Sequence, residues 1–144
     1  MKITIIAVGK LKEDYLRKAS EHYTEVISKK AAFSIVEVGD ESTEGNPASV
    51  LQTEGDRILK KISPGQYVIA LAIDGKITDS EGLSKKLRSL KASEKNDLVF
   101  IIGGSLGLSE EVLRRSDFRL SFSPMTFPHQ LMRIMLMDAL STAL

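Results

Sequence analysis

LVFIIGGSLGLSEEVLRRSDFRLSFSPMTFP, residues 98–128, is the stretch on which the reading of the fold turns. Five apolar residues, Leu98 to Ile102, run directly into Gly103-Gly104, and a third glycine follows at Gly107. A short, uninterrupted apolar run closed by glycines is the pattern of a strand buried on both faces that delivers a flexible loop. Ser109-Glu110-Glu111 then supplies a helix start, with a hydroxyl to cap the free amides and acids at the positive end of the helix dipole. Residues 118–122 give a second short strand. Beyond it Pro124 and Pro128 hold an extended loop ahead of an apolar helix. Two loops emerging side by side from strand ends are expected to form a small-molecule site.

Working outward, residues 3–8 are a β-branched run ending at Gly9, and residues 33–38 and 67–73 repeat that pattern. Between them lie amphipathic stretches. Leu11, Tyr15, Ala19, Tyr23, Val26 and Ile27 recur at helical spacing, and Leu51, Ile58, Leu59 and Ile62 mark a second helix that Asn46-Pro47 is suited to start. The third strand is expected to end at Asp74-Gly75, with Thr78 and Glu81 forming a capping box for a helix to about Leu90. Strand and helix alternate throughout, which predicts an α/β fold: a mostly parallel sheet with helices on both faces. The last helix, residues 128–144, carries Leu131, Met132, Ile134, Met135, Leu136, Met137, Leu140 and Leu144 around its axis, with only Arg133 and Asp138 charged. A helix apolar on all sides must be covered on all sides, so one face is expected on the sheet and another against a second subunit in a symmetric homodimer.

The 144 residues fit one domain, residues 1–144, with no internal repeat or linker. Apolar residues are 42% and charged residues 27%, so neither disorder nor a membrane class is indicated. Cysteine is absent, which removes disulfides, thiol nucleophiles and thiolate metal sites, and no metal is expected. No signal peptide or membrane span is apparent, and a cytoplasmic location is expected. Twenty Lys and Arg against 19 Asp and Glu leave a net charge of +1, without the basic excess of a free-standing nucleic-acid binder.

The glycine loop admits four readings. It lacks the GxGxxG spacing of a dinucleotide fingerprint, and the Gly-Lys-Ser/Thr ending of a P-loop. Gly103-Gly104-Ser105-Leu106-Gly107 does match GxSxG between a strand and a helix, with Asp117 and His129 following in hydrolase order, so a serine hydrolase using Ser105 is one alternative.

The fourth reading uses the flanks. Met1 to Lys12 (MKITI…VGKLK), EV…DE at residues 37–41, EG…RIL at 54–59, IDGK at 73–76, FIIGGS…GL at 100–108 and LSFS…MTFPHQ at 120–130 together resemble the RlmH family. These are SPOUT-class methyltransferases that use S-adenosylmethionine to methylate a pseudouridine of 23S ribosomal RNA at ring nitrogen 3, within the ribosome. The resemblance runs to about residue 136, and its last two segments are the specific ones. It implies a C-terminal trefoil knot, in which the last helix tucks through a loop, and a homodimer whose site draws on both subunits. Carried over residue by residue, the family's cofactor contacts fall on Leu71, Gly103, Phe122, Ser123, Pro124, Met125, Thr126 and Phe127, and His129 falls on the substrate side as the catalytic candidate. Pro124 stands where many relatives carry a basic residue. After residue 136 the sequence also departs from the family: in place of a Glu-Gln-x-Tyr-Arg-Ala-like segment and a basic Tyr-His tail it reads MDALSTAL. A non-catalytic cofactor- or ribosome-binding module is therefore a second alternative.

Overall fold

The aliphatic runs of the sequence become the centre of one sheet in the computed structural model, which describes residues 1–144. Strands β1 (Lys2–Val8), β2 (Ala32–Val38), β3 (Tyr67–Ile77), β4 (Asp97–Ile102) and β5 (Phe118–Ser121) pair in the order β2-β1-β4-β3-β5, every pair parallel. Side chains alternate across the pleat. Ile3, Ile5, Leu98 and Phe100 point to one face, where they meet α1 (Asp14–Ser28), α3 (Ser80–Ala92) and α5 (His129–Ala143) through Ile27, Leu87 and Leu136. Ile6, Val8, Val99 and Ile101 point to the other, against Ile58 of α2 (Pro47–Leu59) and Val112 of α4 (Glu110–Arg115). Each fully buried aliphatic or aromatic side chain contributes roughly 1.5–3 kcal/mol. Both faces are covered, as a parallel sheet requires.

Two helix starts form as their sequences dictate. Asn46 Oδ1 accepts the Ala48 and Ser49 amides at 2.9 and 3.4 Å ahead of Pro47, and Ser109 Oγ accepts the Val112 amide at 3.3 Å. The third differs from expectation. Asp79, not Thr78, caps α3 by accepting the Gly82 amide at 2.7 Å, while the Thr78 amide donates to Ser121 O at 2.9 Å. Thr78 is held by the sheet because β3 does not stop at Asp74-Gly75. Leu71 and Lys76 both sit opposite Leu120, and residues 72–75 bulge out between them. Gly75 permits this, since a Cβ there would come within 2.7 Å of the Arg119 carbonyl carbon.

Three further expectations change. α1 begins only at Asp14, so its buried stripe runs through Leu16 and Ile27 while Tyr15 is 68% exposed. β4 and β5 are not neighbours, because β3 lies between them. α5 is not apolar all round: its buried positions are Arg133, Leu136, Met137 and Leu140, so a charged side chain faces inward.

Candidate active site

Although β3 separates them, the loops that follow β4 and β5 converge at the carboxyl ends of the strands, where parallel α/β sheets bind their ligands. The bulge after Leu71 closes the gap. Leu71, Ala72 and Ile73 form one wall of a groove of about 140 Å³, Ile102 to Gly104 and Gly107 a second, and Ser123, Met125, Thr126, Phe127, His129 and Met132 the third. Gly107 takes φ +86°, a conformation that favours glycine. Gly103 is required for a different reason: a Cβ there would lie 2.5 Å from the Gly107 carbonyl oxygen. The third wall is extended chain pinned by two contacts, Ser121 Oγ donating to Ser123 O at 3.0 Å and the Met125 amide donating to Ser123 Oγ at 3.0 Å. The amides of Thr126 and Phe127 have no acceptor within the chain.

His129 opens α5 at the end of this groove. Burial, then the charge of Arg133, lower its pKa below the ordinary value of 6.5, and Asp40 and Glu54 pull the other way. Its imidazole is therefore neutral at pH 7 and able to accept a proton. Arg133 is itself 2% exposed. Its guanidinium donates to Glu37 Oε2 at 2.6 Å and to Gly9 O at 3.1 Å, which fixes the first turns of α5 against the ends of β1 and β2. Beyond Gly104 and His129, which belong to both, a second and more polar cavity of about 300 Å³ opens toward Lys12, Asp40 and Glu54.

Of the residues singled out from sequence, Leu71, Gly103, Ser123, Met125, Thr126, Phe127 and His129 come together in the groove. Phe122 instead lines a cavity beside α5 with Tyr23 and Ile134, and the exposed Pro124 is outside the groove wall. Ala72, Ile102 and Met132 are groove residues that the sequence did not mark, because each reads there as ordinary core. The hydrolase alternative is overturned by topology. Ser105 and His129 do face one cavity, but Asp117 lies at the opposite, amino end of β5, where it accepts the Val68 amide at 2.8 Å and pairs with Arg115. The acid that the hydrolase order names, Asp117, therefore cannot complete a triad with Ser105 and His129.

An apolar, glycine-walled groove with free main-chain amides at the carboxyl edge of a parallel α/β sheet has the position and lining of a small-molecule site. The comparisons narrow this. A family model described as "Predicted SPOUT methyltransferase" matches residues 1–143, and the chain belongs to that family. It is 50% identical to the ribosomal RNA large subunit methyltransferase H of Alkaliphilus oremlandii (strain OhILAs), over 96% of this chain and 90% of that protein. The same identity and coverage relate it to the putative ribosomal RNA large subunit methyltransferase H of Methanococcus maripaludis (strain C5 / ATCC BAA-1333). Among solved structures, a tRNA (m1G37) methyltransferase from Aquifex aeolicus superposes with a TM-score of 0.58 at 15% identity, covering 98% of this chain and 69% of that one, a likeness of fold.

Proposed function

We propose that this chain is an S-adenosylmethionine-dependent methyltransferase acting on ribosomal RNA of the large subunit. The target is ring nitrogen 3 of a pseudouridine in 23S RNA, reached on the assembled ribosome by a cytoplasmic homodimer with the family's C-terminal knot. The observation that carries the reading is the groove itself, formed by the β3 bulge, the glycine loop and residues 121–127 in a chain whose family match spans residues 1–143. Its chemistry fits the cofactor's adenosine: Leu71, Ile102, Phe127 and Met132 offer apolar walls, and the unpartnered Thr126 and Phe127 amides offer donors to ring nitrogens. Bound there, the cofactor supplies an electrophilic methyl group. The chain's own task is to hold two reactants in register, exclude water and leave the neutral His129 within the site as a proton acceptor. With a net charge of +1, contacts to the ribosome's shape take the place of a large basic patch.

Calorimetric titration with S-adenosylmethionine tests this. Micromolar binding, on the order of −8 kcal/mol, is expected for the native chain. Ala72→Trp, which fills the groove from a half-buried position, should weaken it by at least about tenfold while leaving the fold intact. Gly103 is the wrong place to block, because any side chain there displaces the Gly107 carbonyl and with it the loop. Absence of binding in the folded native chain would end the proposal.

A further inference from the structure

Glu54 is a buried carboxylate with one oxygen that nothing in the chain satisfies. It is 4% exposed; Oε2 accepts the Glu41 amide at 3.0 Å, whereas Oε1 has no partner. A neighbouring glycine puts it there. A Cβ on Gly55 would come 2.4 Å from Ser109 Oγ, so its absence lets α2 lie directly on the N-cap of α4. That packing carries Glu54 against Gly104, where an added Cβ would sit 3.2 Å from Oε1. Withdrawing a carboxylate oxygen from water without a donor is costly and calls for an occupant.

The cavity beside it shows what that occupant offers. It measures about 300 Å³, is lined by Lys12, Asp40, Glu44, Glu54, Ser105 and His129, and joins the cofactor groove at Gly104 and His129. Four acids, Asp40, Glu41, Glu44 and Glu54, against one lysine disfavour a phosphate there, and the unpartnered Oε1 calls for a donor of the kind a ring edge bearing N–H supplies. Resting on the methyltransferase reading above, we infer that Glu54 reads the target base, its Oε1 accepting the imide N–H of a uracil-type ring seated in this cavity. Such an edge runs carbonyl, N–H, carbonyl, and the Lys12 ammonium and Ser105 hydroxyl stand in the same cavity as donors for the flanking oxygens. Cytosine presents a lone pair at the same ring position. It would set acceptor against acceptor, and sites built on a hydrogen bond reject such analogues strongly.

The test is equilibrium binding of the full chain to unmethylated large ribosomal subunits that carry, at the position it methylates, either the native uracil-type base or cytidine. S-Adenosylmethionine is titrated in parallel. The native chain should prefer the native particle by about tenfold or more. Glu54→Gln, whose amide presents N–H as readily as C=O, should bring the two particles within about twofold and leave cofactor affinity unchanged. Equal binding by the native chain, or an undiminished preference in Glu54→Gln, overturns the inference and leaves Glu54 as an anchor for the Glu41 amide. Loss of cofactor affinity in Glu54→Gln overturns it in favour of a contact with the cofactor's ammonium. A native chain that binds neither cofactor nor ribosome removes the methyltransferase reading as well, which separates the two failures. Where Glu54→Gln does not fold, Glu54→Asp keeps the charge and shortens the reach. It should weaken the native particle alone, and equal weakening of both particles overturns the inference.

Discussion

At the scale of single residues, His129 ties the site to folding. Its pKa is lowered chiefly by burial, so the unfolded chain takes up the proton more readily than the folded one. The sign follows directly. Above the unfolded value near 6.5 both states are neutral and the folded chain is at its most stable with respect to this group; as pH falls from about 6.5 through the lower folded value, stability is lost. His129→Asn should therefore lose less Tm than the native chain between about pH 7.5 and about pH 5. Equal losses would mean that the imidazole is freely solvated and no better placed than any surface histidine to take a proton. The residues around it differ in how readily sequence betrays them. Gly103, Gly107 and the proline-held run before His129 stand out because loops that approach a ligand need those residue types. Glu54 does not, because on a helical wheel it is one more polar position between Leu51 and Ile58. Its burial depends on Gly55 meeting Ser109 more than fifty positions away, which no local pattern encodes.

Among the elements, α5 is the piece whose placement the site depends on, and Arg133 is what anchors its first half. The guanidinium joins α5 to Glu37 on β2 and to the Gly9 carbonyl after β1, and farther along Tyr23 donates to Asp138 at 2.9 Å and Lys30 to Ser141 O at 2.5 Å. Arg133→Ala removes a buried charge from two acceptors and leaves a cavity, and should cost about 3 kcal/mol in chemical denaturation. Arg133→Met, which restores the volume and needs no partner, should recover at least half of that, since Glu37 is partly open to water. If Met were as damaging as Ala, the ion pair itself would be carrying the helix. Strands β1 and β4 are plain in sequence because burial on both faces demands unbroken aliphatic runs. The end of β3 is not, because Asp74-Gly75 has the composition of a turn and becomes a bulge only through its pairing with β5, and the inward face of Arg133 is hidden by the general rule that charges point outward.

For the whole molecule, the sheet gathers the carboxyl ends of β3, β4 and β5 along one edge, and the surface around them is unusually apolar. Ile73 is 58% exposed and Met125 67%, both lining a groove of about 140 Å³ that is small for an entire cofactor, and Leu131, adjacent in sequence to the groove residue Met132, is 40% exposed. A second copy of the chain laid over this rim would cover those side chains and deepen the groove, which is the arrangement we propose. Because a two-fold interface uses each residue twice, a substitution in it is felt twice. Leu131→Glu places a carboxylate in apolar surroundings on both protomers and should shift the monomer–dimer equilibrium by on the order of 100-fold toward monomer, read by sedimentation equilibrium. Cofactor affinity should fall along with dimerisation, while the melting transition of the monomer stays cooperative, since Leu131 lies outside the core. A native chain that is monomeric at about 50 μM yet binds S-adenosylmethionine in the micromolar range would show instead that one copy makes a complete site. The exposed rim would then face the ribosome.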